Sequence, residues 1–321
     1  MRFEMFRIQP FNALILAVLA AALTPYIILD PKSLFFHYAM VYIYFVLLAM
    51  AWNTLYSSTG MVTLGLQLYF GVSAYATAFL VNQSINIILA SAAGFLAAVL
   101  LSVAVSFLLI KLRGLSFTIG SWMFAEGAML IMLNVPWLGG SQGYGIPTVQ
   151  VPVKELYAVS VVLLVGVYYF MRVFMQSRFG FGSRGIKLAE NLAGVMGLNV
   201  PWYKIITLTV CNSAAALSGV VYMLYVKYTD PYTSFQILWS IESIIMSVIG
   251  GVNTLVGPFI GGTVFLVIVE YIRFLYAELN ILIMGAIMMA FGLLYKEGVM
   301  GFVNRYRARR VEASTPRGKS V

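Results

Sequence analysis

Apolar runs of about 20 residues, each long enough to cross roughly 30 Å of hydrocarbon, follow one another almost end to end along the chain. They predict membrane helices at about 11–29, 35–56, 60–81, 86–110, 115–135, 156–175, 204–226, 238–251, 255–274 and 279–295. The expected fold is therefore an all-α, polytopic transmembrane helical bundle of about ten spans, within a range of eight to ten. Residues 1–304 read as one membrane domain and residues 305–321 as a basic tail without fixed structure. The first span follows Arg2 and Arg7 with no small-residue cleavage site after it, the pattern of an uncleaved helix that doubles as an insertion signal. One polar break stands out at 176–204, QSRFGFGSRGIKLAENLAGVMGLNVPWYK, with Arg178, Arg184, Lys187 and Lys204. A basic, helix-capable loop in so apolar a protein has to meet something outside the bilayer.

Composition agrees with the pattern: 61% hydrophobic and 10% charged residues cannot supply the wetted surface of a soluble domain. A multi-pass protein of the cell membrane is expected. The formal charge of +9 sets its orientation, because Lys and Arg are retained on the cytoplasmic side. With the N-terminus inside, alternate loops receive Lys111 and Arg113, then Arg172, Arg178, Arg184 and Lys187, then the tail. Lys32, Lys154, Lys227 and Arg273 fall on the other side. From Lys296 onward the tail holds seven basic and two acidic residues, so both termini are expected to be cytoplasmic. Segment 238–251 is short enough to be re-entrant, but turning back there would deliver the arginine-rich tail outside, so a short or tilted crossing is expected. Such a tail suits membrane lipids, at about 1 kcal/mol per basic residue near an anionic surface. It lacks the aromatic interleaving and folded module of a nucleic-acid binder.

Catalysis finds few candidates. His37 is the sole histidine and Cys211 the sole cysteine, so no zinc site, Cys–His pair or Ser–His–Asp triad can be assembled. There is no phosphate-binding GxxxxGK[ST] loop either. No enzyme and no bound metal or cofactor is expected, and any ATP must be bound by a partner. The acidic residues inside spans remain, because a carboxylate in hydrocarbon costs several kcal/mol unless it faces a cavity or a partner. Glu270 precedes Arg273 by three residues, as a locally paired charge would. For Glu126 and Glu242 a wet cavity, a subunit contact and a structural hydrogen bond all fit. Glycines cluster at Gly60, Gly65 and Gly71 and again at Gly250, Gly251, Gly257, Gly261 and Gly262 with Pro258, as close packing or broken helices require. Both clusters hold a Gly-x-x-Thr-Leu string, too short to establish a repeat.

Several ordered blocks together resemble a known family. They are AWNTLYSSTGMVTLGLQLYFGVSAYATAFL (51–80), KLRGLSFTIGSWMFAEGAMLIMLN (111–134), GGSQGYGIP (139–147), SIESIIMSVIGGVNTLVGPFIGG (240–262) and YKEGVMG (295–301). They are similar to the permease subunits of ABC transporters for branched-chain amino acids, of the LivM type. The resemblance implies an importer assembled from this chain, a second, LivH-like permease, two cytoplasmic ABC ATPase subunits that bind the ATP, and an extracellular substrate-binding protein. It also implies that a short cytoplasmic helix docks on the ATPase, and Arg184 to Asn199 would supply it. Within it Leu188, Leu192, Val195 and Met196 recur at helical spacing to form one apolar face, with Lys187, Glu190 and Asn191 elsewhere. Gly197 and Pro201 punctuate its end.

By the same resemblance Asn53, Gln67, Glu126 and Glu242 are placed near the translocation path. Gln67 stands where the family commonly has histidine, and Gln142 where it has an acidic residue; Leu192 and Ala193 occupy the positions of its usual pair of alanines. These swaps alter the polar groups a solute meets. Branched-chain amino acids are the leading substrate class, with urea or another small polar solute as the alternative within the family. An ion-coupled secondary transporter working through Glu126 or Glu242 is the rival outside it.

Overall fold

The computed structural model describes residues 34–146 and 152–275, and positions 282, 285, 286 and 289 beyond them. The expected first span, most of the last span, the basic tail, both termini and the side chains of Glu270 and Arg273 lie outside the described residues. Eleven α-helices run through the described part: α1 (Leu34–Thr59), α2 (Leu66–Asn82), α3 (Ile87–Leu109), α4 (Leu115–Asn134), α5 (Val153–Gln176), α6 (Arg178–Leu188), α7 (Glu190–Val195), α8 (Val200–Val226), α9 (Pro231–Ser234), α10 (Leu238–Gly250) and α11 (Gly257–Leu275). Helices dominate because hydrocarbon offers the backbone no hydrogen-bond partners, so each segment must satisfy its own. Among the described residues, six stretches are long and apolar enough to cross a membrane: Phe36–Thr59, Ile87–Leu109, Leu115–Asn134, Val153–Gln176, Val200–Val226 and Pro231–Gly250.

The last of these resolves the short segment expected at 238–251. Asp230 caps the one-turn helix α9, its side chain accepting from Thr233 N, and α9, the three residues after it and α10 together reach 20 residues, long enough for a crossing. A short apolar stretch is thus completed by a polar-capped turn that hydropathy alone leaves out.

From Met40 onward helix α1 is buried on nearly every side, as a mainly apolar helix should be: Met40, Val46, Leu47, Leu48 and Leu55 are inaccessible. It packs against α8, α10, α11 and α5, while α2, α3 and α8 pack against one another. Helices α3 and α4 are peripheral, exposing Leu96, Leu100, Met123 and Ile131. The expected tight packing is present where α10 meets α11. A Cβ built on Gly261 would fall far inside van der Waals contact with the Met246 carbonyl oxygen.

The span expected from residue 60 starts only at Leu66. After Gly60, whose φ of 73° ends α1, the chain turns back into the bundle: Trp52 Nε1 donates to Thr63 O at 3.2 Å and Leu66 N to Ser240 Oγ at 3.1 Å. Trp52 lies two helical turns before the end of α1, so the connection folds back alongside α1 before α2 begins. The two Gly-x-x-Thr-Leu strings do the same local work. Each follows a helix end with its glycine at positive φ, 73° at Gly60 and 112° at Gly251, and in each the threonine hydroxyl accepts a glycine N–H.

Contacts sort the loops onto two ends. At one, Tyr144–Gly145 pairs antiparallel with Tyr228–Thr229, Asn82 Nδ2 donates to Gly145 O, and His37 Nδ1 lies 2.6 Å from the Tyr225 hydroxyl. At the other end the connections after α1, α3, α5 and α10 meet, and the basic loop sits among them.

Candidate functional site

The basic loop is built from α6 and α7. Ser177 starts α6, its hydroxyl accepting from Gly180 N, and Ser183 Oγ lies 2.8 Å from Thr207 Oγ1, seating the helix on the first turns of α8. Arg184 closes the corner with α5, donating from Nε to Gly180 O at 3.2 Å and from Nη2 to Met175 O. Its guanidinium stands 4.6 Å from the centre of the Phe181 ring. Burial pushes both Arg184 and Lys187 below their ordinary pKa values.

The single helix expected from Arg184 to Asn199 is divided. Ala189 is extended, with φ −159° and ψ 90°, ending α6 and opening the six-residue α7. On an unbroken helix Lys187 and Glu190, three residues apart, would pair with each other. The break sends them to different partners. Lys187 Nζ donates to Asn253 Oδ1 at 2.8 Å and reaches Ser57 O at 3.5 Å, while lying 4.6 Å from the Tyr56 ring centre. Glu190 pairs with Lys204 at 2.9 Å and with Arg113 at 3.4 Å. Lys204 is buried in the first turns of α8, whereas Arg113 is mostly exposed.

The end of the loop follows its glycine. Gly197 takes φ 86°, its N–H bonds to Gly194 O, and Leu198 N bonds to Ala193 O, the paired closure in which glycine accepts the left-handed position. Asn199 then caps α8 through Trp202 N. The four apolar positions of the expected face point away from the protein: Leu188 is 87% exposed, Leu192 64%, Val195 86% and Met196 84%. Phe181 and Trp202 continue the exposed surface. Four large apolar side chains uncovered on so polar a loop make the kind of patch that marks a binding surface.

The four residues expected near a path lie apart from this loop. Asn53 is buried in α1 and donates from Nδ2 to Thr254 O at 2.7 Å, while its Oδ1 has no partner among the described residues. Gln67 is buried in the first turn of α2, its Oε1 accepting from the Ser240 hydroxyl and its Nε2 left without a described partner. Glu242 is buried two residues beyond Ser240 on α10, so the structure brings Gln67 to the segment that carries Glu242. Glu126 stands elsewhere, half-buried on peripheral α4, and accepts from Trp122 Nε1 at 2.8 Å. That spacing of four residues was visible in the sequence as an indole donor one turn ahead of the carboxylate. Asn253, Lys204, Arg113 and Ser240 were not singled out as site residues, and only their packing shows what they hold.

The architecture is that of a polytopic α-helical membrane protein with a basic helical loop at one end. Residues 34–292 match the family described as branched-chain amino acid transport system / permease component, and the chain belongs to that family. No curated protein and no solved structure matches it.

Proposed function

We propose that this chain is one permease subunit of an ABC importer, forming with a second permease the path for branched-chain amino acids. Two separate cytoplasmic ATPases power it, and an extracellular binding protein delivers the solute. The exposed apolar face of Leu188, Leu192, Val195 and Met196 carries this reading. Such a surface, tied to the bundle by Lys187 and Glu190, suits a lever that a partner protein grips. The Lys and Arg of the loops gathered at this end support a cytoplasmic position for it, and the reading is completed by ten spans with both termini on that side. The unspent bonding capacity of Asn53 Oδ1 and Gln67 Nε2 supports a polar path through the bundle.

Reconstitution in proteoliposomes tests the reading. Uptake of labelled leucine is expected only when the second permease, the ATPases, the binding protein and ATP are all present. Gradient-driven uptake by the lone chain would sink the assignment, and a binding protein that retains urea instead of an amino acid would overturn the substrate class.

A further inference from the structure

Two of the polar ties that join the basic loop to the bundle leave from opposite sides of the Ala189 break. The Glu190 tie ends at the start of α8 and at Arg113 in the connection after α3. The Lys187 tie goes deeper. Its ammonium holds Asn253 Oδ1, and Asn253 sits in the turn between α10 and α11 with φ 72°, a left-handed conformation that asparagine tolerates better than most residues. The next residue, Thr254, accepts from the buried Asn53 side chain through its carbonyl oxygen. Thr254 also shapes the turn, its hydroxyl donating to Gly251 O and accepting from Gly257 N. A short polar track therefore runs from the loop, through a six-residue turn between two helices, to a buried amide in the central helix.

We propose that Lys187 and Asn253 are positioning residues that transmit movement of the basic loop to the α10–α11 turn and, through Thr254, to Asn53. The inference rests on the reading of the loop as the ATPase dock, and it adds which internal element the dock pulls. The geometry favours this route over the Glu190 tie, because α10 and α11 cross at Gly250 and Gly261 with no side chain between them. A displacement of the turn must shift both helices together, since close-packed interiors transmit strain. Asn253 is exposed and Lys187 half-buried, so substituting either leaves the core intact.

Hydrogen exchange on the assembled transporter separates the possibilities. The amides of Gly251 and Gly257 are hydrogen-bonded and report the turn; those of Met196, Gly197 and Leu198 report the dock. In the unsubstituted transporter, a non-hydrolysable ATP analogue is expected to change exchange in both segments by about 5-fold or more. In Lys187→Met and in Asn253→Gly, which removes the amide but keeps the left-handed φ, the dock should still respond and the turn should not, with Lys187→Arg restoring the turn's response. A turn that still responds in Lys187→Met and Asn253→Gly overturns the relay. So does a dock response without a turn response in the unsubstituted transporter, or the loss of both in Lys187→Met. Absence of any dock response in the unsubstituted transporter overturns the docking reading itself, and the relay with it.

Discussion

Replacing Glu190 by glutamine should open α7 while leaving the rest of the protein folded. A helix of six residues has no stability of its own in water, and α7 buries only Ala193. It therefore depends on the ties of Glu190. At the 2.9 Å separation from Lys204, an effective dielectric near 20 gives a gross attraction of about 6 kcal/mol. Removing one partner of a fully buried pair costs about 3–5 kcal/mol net, because the other charge stays desolvated. Glu190 is 31% exposed, so the cost falls below this scale, at about 2 kcal/mol. That corresponds to roughly 30-fold faster exchange at the hydrogen-bonded amides of Ala193, Met196, Gly197 and Leu198. Two controls fix the cause. Arg113 is 72% exposed, and Arg113→Ala should cost less than about 0.5 kcal/mol. Lys204→Met removes the buried charge itself and leaves Glu190 in contact with water and Arg113, so it should cost under about 1 kcal/mol. Exchange of the Glu190→Gln loop within two-fold of the unsubstituted protein, or equal opening by Lys204→Met, would refute the reasoning.

Three further substitutions probe the bundle, with unfolding followed by labelling of Cys211, the single and fully buried thiol. Gly261→Ala forces α10 and α11 apart and should cost about 1–3 kcal/mol or more, read as a lower labelling midpoint; an unchanged midpoint means the two helices do not cross where described. Ser240→Ala removes the partner of both Leu66 N and Gln67 Oε1, leaving two buried groups unpaired at about 1–3 kcal/mol each. Ser243→Ala loses only a bond to its own helix at Ser240 O and should be milder; the reverse order contradicts the bonding at the α2 terminus. Trp122→Phe strips Glu126 of its indole donor and should lower the midpoint by an amount equivalent to about 1–2 kcal/mol, whereas no change would show that Glu126 finds its stabilising partner elsewhere.

The all-α, polytopic character of the described residues was legible in the sequence, because lipid imposes one rule, apolar and helical, on every span. The stop at Gly197 was legible for a related reason: a glycine after an apolar periodic run has a local consequence. The start of α2 was not. Its position at Leu66 depends on Ser240, far along the chain, and no local pattern encodes that meeting. The break at Ala189 was hidden in the same way, since Asn253 and Ser57 draw Lys187 to one side while Lys204 and Arg113 draw Glu190 to another. The exposed face of the loop was readable as a spacing of apolar residues. What the sequence does not tell is that Lys187 and Glu190 face the bundle. A charge reversal at Glu190 would consequently disturb the loop's own anchorage as well as any dock.

The central claim is that the apolar face of the loop grips an ATPase, and its direct test uses residues whose side chains are almost wholly exposed. Val195 and Met196 are 86% and 84% exposed, so Val195→Asp with Met196→Asp changes the face while sparing the Lys187 and Glu190 ties. The measurement is the amount of ATPase that copurifies with the permease at equal expression and equal protection of Cys211. The account predicts that copurification is lost with these two substitutions and retained with the distant control Ile85→Asp, exposed in the connection between α2 and α3 and outside the spans. Retention of ATPase at unsubstituted levels by the doubly substituted loop would contradict it.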